Sequence, residues 1–133
     1  MNLTPKTIVI VEDEPDTAEM FAEMMRMNGY EIVKAYSGGS AIALIAKVKP
    51  AVVVLDVMMP DISGIEVLNF IRNYPELANT PVVVVSAKTL PSDIQIGLDA
   101  GASLYLTKPV AYLELKEAVE SAIQAADQEG IGI

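Results

Sequence analysis

Short apolar runs recur along the chain, each closed by polar or turn residues: Ile8–Val11, Ala51–Leu55, Val82–Val85 and Leu104–Leu106, with a weaker run, EIVKA (Glu31–Ala35), between the first two. Runs this short and this rich in Val and Ile predict strands buried on both faces, as in a parallel sheet. Helical spacing fills the gaps. A first helix is expected to open at Pro15, a residue suited to a first helical position, and to stop before Gly29, with Ala18, Phe21, Met24 and Met25 on its apolar face. A second opens near Ser37, carries Ala41, Leu44, Ile45 and Val48, and ends at Pro50; a third follows Gly64 with Val67, Leu68 and Ile71. The fourth, near Ser92 to Ala100, is short and weakly patterned, and Ile94 and Leu98 are its best inward candidates. The last carries Leu115, Val119, Ala122 and Ile123 and fades into DQEGIGI.

Strand and helix alternate five times, which predicts an α/β domain with helices on both faces of the sheet. The 133 residues suffice for one domain with a real core. That domain is assigned to residues 1–126, and 127–133 to a C-terminal tail or a linker stump. No apolar stretch approaches the ~20 residues of a membrane span. The opening MNLTPKTIVIVEDEP has only four consecutive apolar residues before its acids, so it does not read as a signal peptide. A cytoplasmic location is expected, with no membrane partner. Eighteen acids against nine bases leave a net charge of −9, which repels nucleic acid at long range, so no direct nucleic-acid binding is expected. The absence of cysteine excludes disulfides and thiolate metal sites; the absence of histidine excludes His-ligated zinc and a Ser-His-Asp triad.

The polar residues that close the strong runs then matter. The first run meets Glu12 and Asp13, the second Asp56, the next Ser86, and the last Thr107 and Lys108. In a parallel sheet these ends share one rim, where open α/β sheets bind their ligands. Three carboxylates in one cleft repel each other unless a cation enters, and Mg²⁺ (or Mn²⁺) suits such oxygen donors. Beside that ion an aspartate can attack phosphorus as a nucleophile, while Lys108 and the Ser86 hydroxyl stabilise the transferred oxygens. No general base is needed. Taken singly, each residue has a plainer reading. Asp56 at a strand end can be a cap, Glu12 and Asp13 can cap the helix at Pro15, Ser86 can be a surface hydroxyl, and Lys108 a solvated charge. The methionines of MFAEMMRM read as core filler, with Met24 and Met25 inward, rather than as a soft-metal surface.

Four segments carry a family resemblance: VIVEDE, VVVLDVMMPDISGIEVL, VVVVSAK and GASLYLTKP. Together, in this order, they resemble the response-regulator receiver domain of two-component signalling, the family of the chemotaxis regulator, over about Lys6 to Ala126. The resemblance implies a single doubly wound (βα)5 flavodoxin-like domain with strand order 2-1-3-4-5. It implies that Asp56 accepts a phosphoryl group from a phosphohistidine on a sensor histidine kinase or phosphotransfer protein. Asp13 would ligate the metal directly together with Asp56 and the Met58 backbone carbonyl, and Glu12 would act mostly through water. Ser86 would bond the phosphoryl oxygens and Lys108 would pair with them. Tyr105 would swing inward as Ser86 moves, signalling through the fourth helix, fifth strand and fifth helix to a downstream target protein or effector domain. The Lys108–Pro109 bond would be cis, an arrangement essentially confined to X-Pro.

Some positions depart from the family pattern. Glu12 replaces the more usual Asp, and Val110 stands where many members have Phe. The last helix lacks the arginines that many DNA-binding members use to dimerise, so a monomer or a weak homodimer favoured by phosphorylation is expected. Met58 and Lys88, each two residues beyond a site residue, are expected to slow hydrolysis, Met58 by shielding and Lys88 because its ammonium cannot accept from an attacking water. Two rival functions remain. A phosphatase of the haloacid-dehalogenase type needs a second acid two residues after its nucleophile, and Met58 occupies that position. A pseudo-receiver would bind partners without ever taking up phosphate; every catalytic position is filled, which counts against it.

Overall fold

The strands of the chain are Thr7–Val11 (β1), Glu31–Ala35 (β2), Val52–Leu55 (β3), Val82–Ser86 (β4) and Leu104–Thr107 (β5). Between and after them run the helices Pro15–Arg26 (α1), Gly38–Val48 (α2), Gly64–Asn73 (α3), Pro91–Asp99 (α4) and Tyr112–Ile131 (α5). This is a computed structural model, and it describes residues 4–131. All strand pairs are parallel, in the order β2-β1-β3-β4-β5.

The apolar runs do not alternate because both faces of the sheet are covered. Ile8, Ile10, Val52, Val54, Val83 and Val85 face α1 and α5, where they meet Phe21, Met25, Leu115 and Val119. Their neighbours Val9, Val11, Val53, Leu55, Val82 and Val84 face α2 and α3, against Ala41, Ile45, Val67, Leu68 and Ile71. The central strands β1, β3 and β4 are almost fully buried, whereas the edge strands β2 and β5 are mostly half-buried. Val110, the residue in place of the usual Phe, is buried in the α1–α5 core.

Two features differ from the sequence pattern. On α4, Leu98 is 41% exposed, and Gly97 is the buried residue. A Cβ at Gly97 would lie 2.8 Å from the Tyr105 ring, so the helix approaches β5 through a glycine slot filled by that ring. The last helix does not fade after Ala126 but continues through Ile131. Gln128 and Glu129 are good helix formers with no apolar face to announce it. Residues 132 and 133 of the expected tail lie outside the described residues.

At the end of the sheet opposite the polar rim, Arg72 acts as a strut. Its guanidinium donates to the carbonyls of Gly101 (2.8 and 3.0 Å), Ala78 (3.1 Å) and Thr80 (2.6 Å), tying α3 to the segments that enter β4 and β5. Arg72→Met keeps the apolar stem but leaves those carbonyls without their charged donor. A loss of about 2–3 kcal/mol is expected, read as a lower urea midpoint with an unchanged slope.

Candidate functional site

Register builds the site. The residue after each strand is still held by the neighbouring strand: the Glu12 N–H donates to the Ala35 carbonyl (3.0 Å), Asp56 to Val11 (3.0 Å) and Lys108 to Ser86 (2.8 Å). The backbone positions of Glu12, Asp56 and Lys108 are therefore fixed by the sheet ladder, not by a mobile loop. Three carboxylates converge there, with oxygens of Glu12, Asp13 and Asp56 all within 4.8 Å of one another. Glu12 and Asp56 are only 1% and 5% exposed, and Asp13 is more open.

Lys108 spans the cluster. Its Nζ donates to Glu12 Oε1 at 2.7 Å and to Asp56 Oδ2 at 3.2 Å. The second Asp56 oxygen, Oδ1, accepts the Met58 N–H at 3.0 Å. Glu12 Oε2 accepts the Glu14 N–H at 3.2 Å. Burial pushes the Glu12 carboxyl above the usual glutamate value, and the Asp56 charge adds to this, while the Lys108 and Glu14 hydrogen bonds only partly offset it. For Lys108, burial works against the charge, but the Glu12 hydrogen bond and the two carboxylate charges outweigh it and its pKa rises. One ammonium faces three acids. A hard divalent cation with oxygen ligands fits the remaining negative charge and the all-oxygen donor set. Capping of α1 does not explain the acids: the N-cap is Glu14, with no side-chain cap bond.

Ser86 is fully buried at the end of β4, where its Oγ accepts the Lys88 N–H at 3.1 Å. Tyr105 lies at the β5 edge, half-buried, and its hydroxyl donates to the Lys88 carbonyl at 2.9 Å. The segment after Ser86 thus sits between Ser86 and Tyr105. The Lys108–Pro109 peptide is cis. Met58 and Lys88 line one groove of about 530 Å³ together with Asp13, Val57, Met59, Pro60, Ser63 and Ile65. Larger apolar residues lie exposed beside Tyr105's elements: Leu90, Ile96 and Leu98 at α4, and Leu113 on α5. Met25 is buried and Met24 half-buried, whereas Met20 and Met27 are exposed.

Three glycines and one acid escaped the sequence reading. Gly64 packs on the end of β3, where a Cβ would clash with the Asp56 carbonyl and lie 2.6 Å from the Val57 Cα. Gly97 forms the Tyr105 slot. Gly38 begins α2 with its N–H on Asp61 Oδ1. Of these, only the Gly64 setting left a sequence trace, in the turn composition PDISG (Pro60–Gly64) after Asp56.

Comparison with known proteins places these residues in a family. The model of the response regulator receiver domain matches residues 8–120. The response regulator MprA of Mycolicibacterium vanbaalenii is 40% identical over 111 residues, 84% of this chain and 47% of that protein, so the chain spans about half the length of this relative. A receiver domain of the Francisella response regulator 1452 superposes with a TM-score of 0.84 at 30% identity, covering 90% of this chain and 98% of that one. The receiver domain of a sensor histidine kinase from Pseudomonas aeruginosa PAO1, described with a magnesium ion coordinated in its active-site cleft, superposes with a TM-score of 0.84 at 25% identity, covering 91% and 99%.

Proposed function

We propose, on the premise that this chain belongs to the response regulator receiver domains, that it is a phosphorylation switch whose acceptor is Asp56. The observation that carries the reading is the rim itself: a buried aspartate held by the sheet ladder, two further acids within 4.8 Å, and a lysine on its outer oxygen. Mg²⁺ or Mn²⁺ would be held by Asp13, Asp56, the Met58 carbonyl and, through water, Glu12; bound there, it would neutralise charge on the phosphoryl oxygens. Asp56 attacks phosphorus through a carboxylate oxygen, displacing the histidine nitrogen of a sensor kinase or phosphotransfer protein. Lys108, already bonded to Asp56, pairs with the incoming oxygens, and Ser86 gives up the Lys88 N–H to bond them.

The output follows from the hydrogen bond between Tyr105 and the Lys88 carbonyl. Movement of Ser86 shifts Lys88, and Tyr105 then re-packs within its slot on Gly97. The exposed apolar residues of α4 and α5 are the face that a downstream protein or effector domain reads, by a population shift. The domain catalyses only its own phosphorylation and dephosphorylation. With net charge −9, this unit does not itself contact nucleic acid, and it acts as a monomer or as a weak dimer strengthened by phosphorylation. The receiver unit is assigned to residues 1–126, and its last helix runs on past that boundary through Ile131. No helix among the described residues is long and apolar enough to cross a membrane; the cytoplasm, where kinase and target meet, is its proposed place.

Beryllofluoride with Mg²⁺ tests the switch. A new set of amide resonances is expected for Ser86, Lys88, Tyr105 and α4, in slow exchange with the free form. An unchanged spectrum favours the pseudo-receiver.

Met58 is half-exposed and shares a groove with Lys88 and Asp13, which supports a role for both Met58 and Lys88 in controlling water at Asp56. Neither offers a carboxylate or imidazole to orient an attacking water. Phosphoryl lifetimes of many minutes or longer are expected, and Met58→Asn with Lys88→Glu should shorten them about tenfold, below the ~10²–10⁴-fold of a fully positioned base. Equal decay of the phosphorylated mass in variant and wild type would refute this control.

A further inference from the structure

The loop from β3 to α3, residues 57–63, carries the Met58 carbonyl and is tied down in two places. At its end the Gly64 N–H donates to the Val57 carbonyl at 2.9 Å, closing the loop on the strand it left. The second tie runs to a different element. Asp61 Oδ1 accepts the Gly38 N–H and Oδ2 the Gly39 N–H, both at 3.0 Å. The approach is close, since a Cβ on Gly38 would lie 2.5 Å from the Ile62 carbonyl oxygen.

These two amides belong to the first turn of α2, where N–H groups have no partner within the helix. The helix has its own cap all the same: Ser37 Oγ accepts the Ser40 N–H at 3.2 Å. Asp61 therefore does more than end a helix; it anchors the loop to it. The Gly39 and Gly38 hydrogen bonds hold its carboxyl down to about 2, so it is ionised throughout the physiological range. Between the two ties lie Met58, Met59 and Pro60, the stretch that borders the groove with Asp13, and the Met58 N–H reaches Asp56 Oδ1.

We propose that Asp61 is a positioning residue for the metal: by clamping the β3–α3 loop on the N-terminus of α2, it holds the Met58 backbone in place beside Asp56 and so sets the affinity for Mg²⁺. The proposal rests on the metal reading given above. A loop that must be ordered on binding binds more weakly than one held in advance, and Mg²⁺ tolerates little departure from its preferred geometry. Losing such an outer partner typically costs ~10–100-fold in metal affinity; with one of several ligands affected, about tenfold is expected.

The test is a Mg²⁺ titration of the ¹H–¹⁵N spectrum for wild type, Asp61→Ala, Asp61→Asn and Ser37→Ala. Asp61→Ala should raise the Kd about tenfold, and Asp61→Asn, which keeps one acceptor, should fall between it and wild type. Ser37→Ala removes the cap of α2 and lowers the thermal midpoint, yet should bind Mg²⁺ as wild type does. A wild-type Kd for Asp61→Ala overturns the clamp, as does a Ser37→Ala shift equal to that of Asp61→Ala, which would mean that only helix stability matters. If Asp61→Ala does not fold, Asp61→Asn decides, and a Kd equal to wild type overturns the proposal. A wild type that shows no response to Mg²⁺ overturns the metal reading and the clamp with it.

Discussion

Lys108→Met is expected to cost this domain both its stability margin and its chemistry. Lys108 is the cation bonded to Glu12 and Asp56, whose side chains are 2% and 6% exposed. Removing one partner of a buried ionic cluster typically costs ~3–5 kcal/mol, because the remaining charges lose their counterion. Lys108 is itself a quarter exposed and Glu12 can take up a proton, so about 2–3 kcal/mol is the fitting figure, or roughly 6–12 °C in thermal midpoint for a domain of this size. The deficit has a definite pH dependence. The Glu12 carboxyl already sits above its unfolded value of 4.5, so the stability linked to it is fully present below that value and is lost as pH rises through the raised one. Without Lys108 the Glu12 value rises further, and the gap between variant and wild type should be widest at neutral pH and close as pH falls toward 4.5. Phosphoryl uptake should slow by ~10²–10³-fold, the range for losing one donor to developing oxyanion charge. Thermal midpoints of variant and wild type, compared at pH 5 and at pH 7.5, check the first part, and uptake rates from acetyl phosphate check the second.

Gly64→Val, at the start of α3, should be the most damaging single change next to the β3–α3 loop. The added Cβ meets backbone, the Asp56 carbonyl and the Val57 Cα at 2.6 Å, and neither can rotate away as a side chain end would. Overpacking of this kind costs ~1–3 kcal/mol and occasionally more, and a branched residue against immovable backbone belongs at the top of that range. A fall of roughly 10 °C is expected. The strain lands on Asp56, the proposed phosphoacceptor, so the folded fraction should also take up phosphate more slowly. Gly29→Ala is the control. Its φ of +85° disfavours a side chain, but nothing lies within 4 Å of the new Cβ, so only about 1 kcal/mol should be lost, with uptake unchanged. Equal losses in the two variants would mean that backbone freedom, not the close approach to Asp56, explains Gly64.

The strands and the rim were legible because their cause is local. Val52–Leu55 is apolar without alternation because α1 and α5 cover one face of β3 while α2 and α3 cover the other, and a parallel sheet then forces Glu12, Asp56, Ser86 and Lys108 to one edge. On α4 the helix itself was legible, but the inward placement of Leu98 failed, because its cause is remote. Nine residues give little periodicity, and the inward residue, Gly97, is chosen by the Tyr105 ring of another element. Leu98 carries the larger apolar side chain and faces out. Asp61 escaped notice for a similar reason: its partners Gly38 and Gly39 lie more than twenty residues earlier. No pattern within the PDISG turn reports that the loop rests on the start of α2.

The central claim is that Asp56 becomes an aspartyl phosphate with the help of a divalent cation. Intact mass after incubation with acetyl phosphate measures this most directly, for wild type with and without Mg²⁺ and for Asp56→Asn with Mg²⁺. The substituted amide keeps only one acceptor oxygen, so either Lys108 Nζ or the Met58 N–H loses its partner, but it also removes one of three crowded acids. The two effects oppose each other, and the Asp56→Asn variant should fold and serve as the control. The account predicts a gain of one phosphoryl group in wild type with Mg²⁺ and none in the other two samples. Phosphate uptake by Asp56→Asn, or an unmodified wild type in saturating Mg²⁺ and donor, would contradict it.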